Sequence, residues 1–130
     1  MKRIFFILIT LFVFVAVTNA QTLYTFTGSD TITNTATVNI DLTVKGSYDS
    51  GVFQVINTKL SGTAAGKTYF KGSVDGTNYV TLDSLTNTNQ TTNTKVFTQT
   101  PPIYPYYRLS STGSGTMSVI TAGKAHFKKK

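Results

Sequence analysis

The densest group of side chains suited to binding chemistry is Tyr104, Tyr106, Tyr107 and Arg108. Tyrosine rings on a sheet face stack on sugars or bases, and Tyr and Arg are enriched in protein interfaces. Because neighbouring side chains on a strand point to opposite faces, we expect Tyr107 to face the core with Leu109, and Tyr106 and Arg108 to face outward. The sequence therefore predicts Tyr104, Tyr106 and Arg108 as interface or ligand-binding residues.

The chain has few of the side chains that catalyse reactions. It has no cysteine and no glutamate, and His126 is its single histidine. The aspartates are Asp30, Asp41, Asp49, Asp75 and Asp83. The sequence shows no opposed carboxylate pair for glycoside hydrolysis and no cluster of metal ligands. A weak calcium site is an open alternative, formed if Asp75 and Asp83 approach each other across a hairpin. We therefore expect no enzyme, no catalytic residue, no cofactor and no metal.

Residues 61–68 end in Gly-Lys-Thr and invite comparison with a phosphate-binding loop. That motif has four residues between its glycines, whereas three residues separate Gly62 from Gly66. It also needs a following helix, whose N-terminal amides hold the phosphate. Residues 69–74 favour a strand instead, so this segment is predicted to be a strand connection.

The net charge of +7 is concentrated at the two ends of the chain. Lys2 and Arg3 supply two positive charges and residues 128–130 supply three, which leaves about +2 on the body. A body with so small a charge excess is not expected to bind nucleic acid. The basic C-terminal tail is interpreted as a solvated terminus.

Strand patterns position the candidate residues. Apolar and polar residues alternate without interruption over residues 36–44, which is the period of a half-buried strand. Further strands are predicted at residues 23–27, 52–60, 68–74, 78–85, 95–98, 106–111 and 116–127. Threonine, with 25 copies, also favours strands. The sequence therefore predicts an all-β fold, an antiparallel β-sandwich (jelly-roll or Ig-like) of about eight strands after an N-terminal apolar segment.

Three connections between these strands have distinct compositions. Asp75-Gly76 is typical of a tight turn because glycine accepts positive φ. Residues 86–94 contain only Thr, Asn and Gln, so we expect an exposed loop. Residues 111–115 are predicted to be the turn of a hairpin that joins the last two strands.

The first twenty residues have the pattern of a secretory signal. Lys2 and Arg3 precede an apolar run at residues 4–17, and small residues at 18–20 offer a cleavage site. The run has 14 residues, whereas a membrane-spanning helix needs about 20. Residues 1–20 are therefore interpreted as a signal peptide or an N-terminal apolar anchor, and residues 21–130 as a single domain. A membrane is an expected partner only if this segment is retained.

Residues 72–79, at the centre of the predicted hairpin 68–85, resemble a pattern of small β-sandwich proteins of bacteriophage virions, especially in phages of Bacteroidota. In these proteins an S-x-D-G-T-N-(Y/W) hairpin is followed by a (Y)-Y-R-(L/V) strand, which here is residues 106–109. The resemblance covers roughly residues 36–127. It implies a capsid accessory, head-fibre or other virion component without enzymatic activity. A secretory signal departs from this pattern, because most phage structural proteins assemble in the cytoplasm.

Two functional hypotheses follow. The first is a non-enzymatic structural or adhesive protein, a phage virion-associated component whose partners are other virion or surface proteins and further copies of itself. The alternative is a secreted carbohydrate- or surface-binding module of a Bacteroidota-type bacterium, with a glycan as its ligand. The first hypothesis places the protein in a virion, and the alternative places it outside the cell, secreted or at the cell surface.

Overall fold

The computed structural model describes residues 23–129 and contains eight strands. They are β1 (Leu23–Thr33), β2 (Thr37–Thr43), β3 (Ser50–Gly62), β4 (Gly66–Ser73), β5 (Val80–Thr86), β6 (Thr92–Gln99), β7 (Tyr106–Gly113) and β8 (Met117–Lys128). Four strands form the first sheet, in the order β1-β8-β3-β6, and four form the second sheet, in the order β2-β7-β4-β5. Every strand pair is antiparallel. The predicted all-β sandwich is confirmed.

Alternation in β2 orients the second sheet. Ile40 and Leu42 are buried, whereas Asn39, Asp41 and Thr43 between and beside them are exposed. This is the pattern predicted for residues 36–44. The predicted central strand at 52–60 is also confirmed, because β3 lies between β8 and β6.

The interior between the sheets has an aromatic cluster at one end. Phe53 of the first sheet lies 4.6 Å from Tyr107 and 4.7 Å from Phe70 of the second, measured between ring centroids. Phe97 stacks on Phe70 at 4.9 Å. A smaller cluster of Ile32, Ala64, Met117 and Val119 fills the opposite end.

The prediction of a hairpin between the last two strands is wrong. Strand β7 belongs to the second sheet and β8 to the first, so the turn after Gly113 crosses between sheets. Both edges of β7 are already occupied, by β2 and by β4, and β8 therefore cannot pair with it. The hairpin predicted around Asp75-Gly76 is confirmed, and its two strands are β4 and β5.

The prediction of an exposed loop at residues 86–94 is wrong in part. Strand β6 begins at Thr92, and Asn87 and Asn93 are only 6% and 8% exposed. Asn87 Oδ1 accepts a hydrogen bond from Asn57 Nδ2, and Asn93 Nδ2 donates to the Thr88 carbonyl. These hydrogen bonds offset part of the cost of burying the polar side chains. Residues 88–91 are exposed, as predicted.

The predicted signal peptide or anchor at residues 1–20 lies outside the described residues. Within residues 23–129, no helix has the length and apolar character needed to cross a membrane.

Candidate functional site

The loop of residues 74–79, which joins β4 to β5, forms the rim of the candidate site. Asp75 organises this loop: its Oδ1 accepts hydrogen bonds from the Thr77 N–H at 2.8 Å and the Asn78 N–H at 2.7 Å. The Ser73 hydroxyl and Asn78 Nδ2 also donate to this carboxylate. The bonds from Asn78 and Thr77 hold the pKa of Asp75 well below its usual range, because they stabilise the charged form.

Tyr106 and Arg108 lie on the outer face of the second sheet, as the alternation predicts. Arg108 is held by two partners: its Nη2 donates to Asp41 Oδ2 at 2.9 Å, and its guanidinium lies 4.1 Å from the centroid of the Tyr79 ring. The bidentate ion pair and the cation–π contact fix its orientation. Gly76 lies against the Tyr106 ring, since a Cβ at Gly76 would be 3.4 Å from it.

Tyr104 forms one wall of an open depression of about 370 Å³ at the end of the sandwich. The lining residues are Gly72, Ser73, Val74, Asp75, Asn78, Val80 and Tyr104. The ring rests on the bare backbone of Gly72, where a Cβ would be 2.5 Å from Tyr104 Cδ2. It also meets Tyr107 edge to face at 6.1 Å, and the Tyr104 N–H donates to the Tyr107 hydroxyl. Packing therefore sets the position of this half-buried ring.

Two exposed apolar side chains of the lining, Val74 and Val80, form the apolar rim of the depression; they are 73% and 53% exposed. Ile103, which precedes Tyr104 in the chain, is 66% exposed. The polar groups beside them are already engaged, because the Ser73 hydroxyl and the Asp75 carboxylate bond to each other and to the loop. The surface left for a ligand is suited to an apolar side chain.

Several other residues on the outer face of the second sheet were not predicted from the sequence. Asp41 and Tyr79 hold Arg108, and Asp41 lies 67 residues from Arg108 along the chain, so no local pattern reveals the pairing. Lys67 and Lys71 also lie on the outer face of the second sheet, and each Nζ is 5.5 Å from the Tyr69 ring centroid. Here a signal exists, because alternation along β4 places Lys67, Tyr69 and Lys71 on one face.

The aspartates considered for a calcium site have other partners. Asp83 forms an ion pair with Lys95 at 2.7 Å, and this hydrogen bond lowers the pKa of Asp83. Asp75 is engaged within its own loop. Across residues 23–129 there is no group of three or more histidines and carboxylates placed to hold a metal ion.

Comparisons with known proteins find the fold and no family. No family model and no curated protein matches the chain. Among solved structures, the PBSX exported protein XepA superposes with a TM-score of 0.64 at 7% identity, over 82% of this chain and 38% of that one. A Bacillus endospore appendage protein superposes at 0.52 with 9% identity, over 88% and 96%. The tailspike protein 4 enzymatically active domain of bacteriophage CBA120 gives 0.50 at 10%, over 84% and 19%. The chain shares their fold.

These likenesses concern the backbone alone. The chain spans about two fifths of the exported protein and about one fifth of the tailspike domain. The endospore appendages are described as disulfide-linked pili, whereas the 130 residues here contain no cysteine.

Proposed function

We propose that this chain is a non-enzymatic structural or adhesive module, a virion-associated accessory protein that docks on a partner protein through the depression beside Tyr104. The observation that carries the proposal is the apolar rim of Val74 and Val80 in a preformed depression, with the exposed Ile103 next to Tyr104 in the chain. Partners would be other virion or surface proteins, or a second copy of this chain. The protein would act in a virion or at the cell surface.

The architecture of the depression supports docking by an apolar segment. Tyr104 is held in place by Gly72 and Tyr107, so little side-chain freedom would be lost on binding. The Ser73 hydroxyl and the Asp75 carboxylate already have partners within the loop and would not be left unsatisfied when water is displaced. Burying one aliphatic side chain contributes about 1.5–3 kcal/mol, which suits a contact repeated in an assembly.

The fold likenesses support an assembly role. They include the PBSX exported protein XepA, a protein of endospore appendages that are described as pili, and a phage tailspike domain. The absence of catalysis rests on the side-chain inventory. The chain offers one histidine, no cysteine and no glutamate, and three of its five aspartates are engaged by Arg108, Lys95 or the 74–79 loop.

The docking proposal is tested with Val74→Asp and Ile103→Asp. Particles purified from the producing culture are probed for the protein, and its self-association is measured by sedimentation velocity over a wide concentration range. We expect both variants to lower particle association or self-association about tenfold, because a charge is placed in an apolar contact.

The matched control is Val96→Asp, which changes a valine that is 52% exposed on the outer face of the first sheet. It should leave association unchanged. A wild-type protein that is absent from every particle and remains monomeric at all concentrations would overturn the proposal. Equal losses in Val96→Asp and Val74→Asp would overturn the assignment to this end of the sandwich.

A second candidate is a secreted carbohydrate-binding module, favoured by the outward tyrosines of the second sheet. Tyrosine rings stack on the apolar faces of sugar rings while their hydroxyls remain hydrated. This candidate predicts that Tyr104→Ala or Tyr106→Ala abolishes glycan retention without unfolding the domain. An unresponsive glycan array would remove it.

A further inference from the structure

The middle of the outer face of the second sheet carries an aromatic ring flanked by two cations. Tyr69 lies on β4, an inner strand, with Lys67 and Lys71 two residues to either side on the same face. Each ammonium nitrogen is 5.5 Å from the Tyr69 ring centroid. All three side chains are half-buried, so they pack on one another and on the sheet. We call Lys67, Tyr69 and Lys71 the lysine–tyrosine triad.

Small hydroxyl side chains border the Tyr69 ring on both sides. In the strand register Tyr69 is opposite Ser110 on β7 and Ser84 on β5. One row further along, Lys71 is opposite Thr81 on β5 and Arg108 on β7. The ring is therefore flanked by two short side chains, of which Ser84 is half-buried and Ser110 is buried.

The positive charge of the triad is not compensated. Neither Lys67 nor Lys71 has a carboxylate partner within the part of the chain that the structure describes. Across the sheet, Lys71 is opposite Arg108 on β7, and Arg108 is opposite Asp41 on β2. The Asp41 carboxylate is already engaged, because Nε and Nη2 of Arg108 donate to its two oxygens. The centre of the face consequently presents two free ammonium groups on either side of one ring.

We infer that the lysine–tyrosine triad binds an acidic glycan, a polysaccharide that carries carboxylate or sulfate groups. A sugar ring stacks on Tyr69, its anionic substituents pair with Lys67 and Lys71, and its hydroxyls meet Ser84. This inference rests on the second candidate function, carbohydrate binding, and adds to it a ligand class and a site separate from Tyr104. It does not depend on docking at the apolar rim.

The charge of the molecule favours a glycan over a nucleic acid. Binding of a nucleic acid relies on many phosphate contacts along a basic stripe. The face offers two free cations, and a third, Arg108, is neutralised by Asp41. An acidic polysaccharide with spaced charges needs no more than this, because stacking and hydroxyl contacts supply the remaining affinity.

The test uses three polysaccharide probes on the full chain as produced by its host. Polygalacturonate carries carboxylates, dextran sulfate carries sulfates, and dextran is neutral; binding is measured by affinity electrophoresis and titration calorimetry at low and high salt. We expect binding to at least one acidic probe and none to dextran. The Lys67→Gln/Lys71→Gln variant should raise Kd about tenfold or more, and Tyr69→Ala should do the same even at high salt, where charge is screened.

Three controls separate this site from general basicity, from loss of the fold and from the proposed docking surface. Lys124→Gln removes an exposed charge on the outer face of the first sheet and should leave Kd unchanged. Tyr69→Phe keeps the ring and should bind nearly as well as the wild type, which also separates loss of stacking from loss of fold. Val74→Asp should impair assembly but not glycan binding.

Four results would overturn the inference. These are no binding to either acidic probe, equal binding to dextran, a loss in Lys124→Gln as large as in the double lysine variant, and tighter binding of single-stranded DNA through the same three residues. The last would assign the site to nucleic acid instead. Loss of the glycan site with assembly intact would leave docking at the apolar rim standing.

Discussion

The sandwich interior is filled by aromatic rings at the end that carries the depression and by hydrogen-bonded polar side chains towards the other end. The aromatic members are Phe53, Phe70, Phe97, Tyr107 and Phe127. Their ring centroids are 4.6 to 5.5 Å apart, as in offset-stacked or tilted pairs. The hydrogen-bonded polar members are Asn57, Thr68, Asn87 and Ser111.

The polar region links the two sheets by specific bonds. Asn57 Nδ2 of β3 donates to Thr68 Oγ1 of β4 at 2.9 Å, and the Ser111 hydroxyl of β7 donates to the same oxygen at 2.8 Å. Asn57 Nδ2 also donates to Asn87 Oδ1 at 2.6 Å. Such a network fixes which residues face each other across the interior.

The difference between the aromatic and the polar region explains how the candidate surface is supported. Tyr107 belongs to the aromatic cluster and at the same time carries Tyr104, so the depression stands on close-packed rings. Packing without directional bonds gives stability, whereas the polar network gives sheet-to-sheet register. A binding surface benefits from a rigid base, and the apolar rim lies at the aromatic end.

The largest expected effect is from Phe70→Ala, which removes the ring that contacts Phe53, Phe97 and Tyr107. Phe70 is fully buried, and the cavity should lower the free energy of unfolding by about 3–5 kcal/mol. Urea denaturation followed by circular dichroism measures the change. Val119→Ala at the opposite end, where fewer atoms are lost, should cost roughly 2 kcal/mol. Equal losses would contradict the contrast between the two ends.

The next effect concerns the polar region. Asn57→Ala leaves Thr68 and Asn87 each without one hydrogen bond inside the core, which should cost about 1–3 kcal/mol. The double variant Asn57→Leu/Asn87→Leu removes both amides and should lose less than the sum of the single variants. Chemical denaturation of the three variants tests this. Full additivity would mean that the two amides do not form a coupled network.

A comparable effect is expected where the aromatic end meets the depression. Gly72→Ala places a Cβ 2.5 Å from Tyr104 Cδ2, so the ring must move, at a cost of about 1–3 kcal/mol. The same change in a Tyr104→Ala background should cost clearly less, because the obstacle is gone. A double-mutant cycle in urea measures the coupling. Identical costs in both backgrounds would show that Tyr104 is not packed on Gly72.

Local patterns predicted the strands but not their partners. Ile40 and Leu42 alternate with polar neighbours, and Tyr107 and Leu109 do the same, so their inward orientation was readable from the sequence. The sequence did not reveal which sheet β8 joins, because this depends on both edges of β7 being occupied by other strands. The packing of Tyr104 on Gly72 likewise joins residues 32 positions apart, which no local period encodes.

Burial of polar side chains was also beyond a local reading. Residues 86–94 are all polar, yet Asn87 is buried because its side chain accepts a hydrogen bond from Asn57. Asn57 lies 30 residues earlier in the chain, so a local pattern does not reveal this contact. The Arg108 pair with Asp41 spans 67 residues in the same way. Lys67, Tyr69 and Lys71, by contrast, could have been grouped by the strand alternation alone.

The smallest expected effect is a pH dependence carried by Asp75, which organises the rim of the depression. Hydrogen bonds from Asn78 and Thr77 lower the pKa of Asp75 in the folded protein below its unfolded value of about 3.9. A depressed pKa contributes stability that is fully present above the unfolded pKa and is lost as pH falls towards the folded pKa. The Asp75→Asn variant lacks this contribution.

The difference in unfolding free energy between the wild type and Asp75→Asn should therefore be constant from about pH 7 to pH 5 and shrink as pH falls from about 4 to 2. Thermal and urea unfolding at several pH values measure it. Asp83, whose pKa is lowered by Lys95, is present in both proteins, so its similar pH dependence cancels from the difference. A gap of the same size at pH 2.5 and pH 6 would mean that the carboxylate charge does not hold the rim.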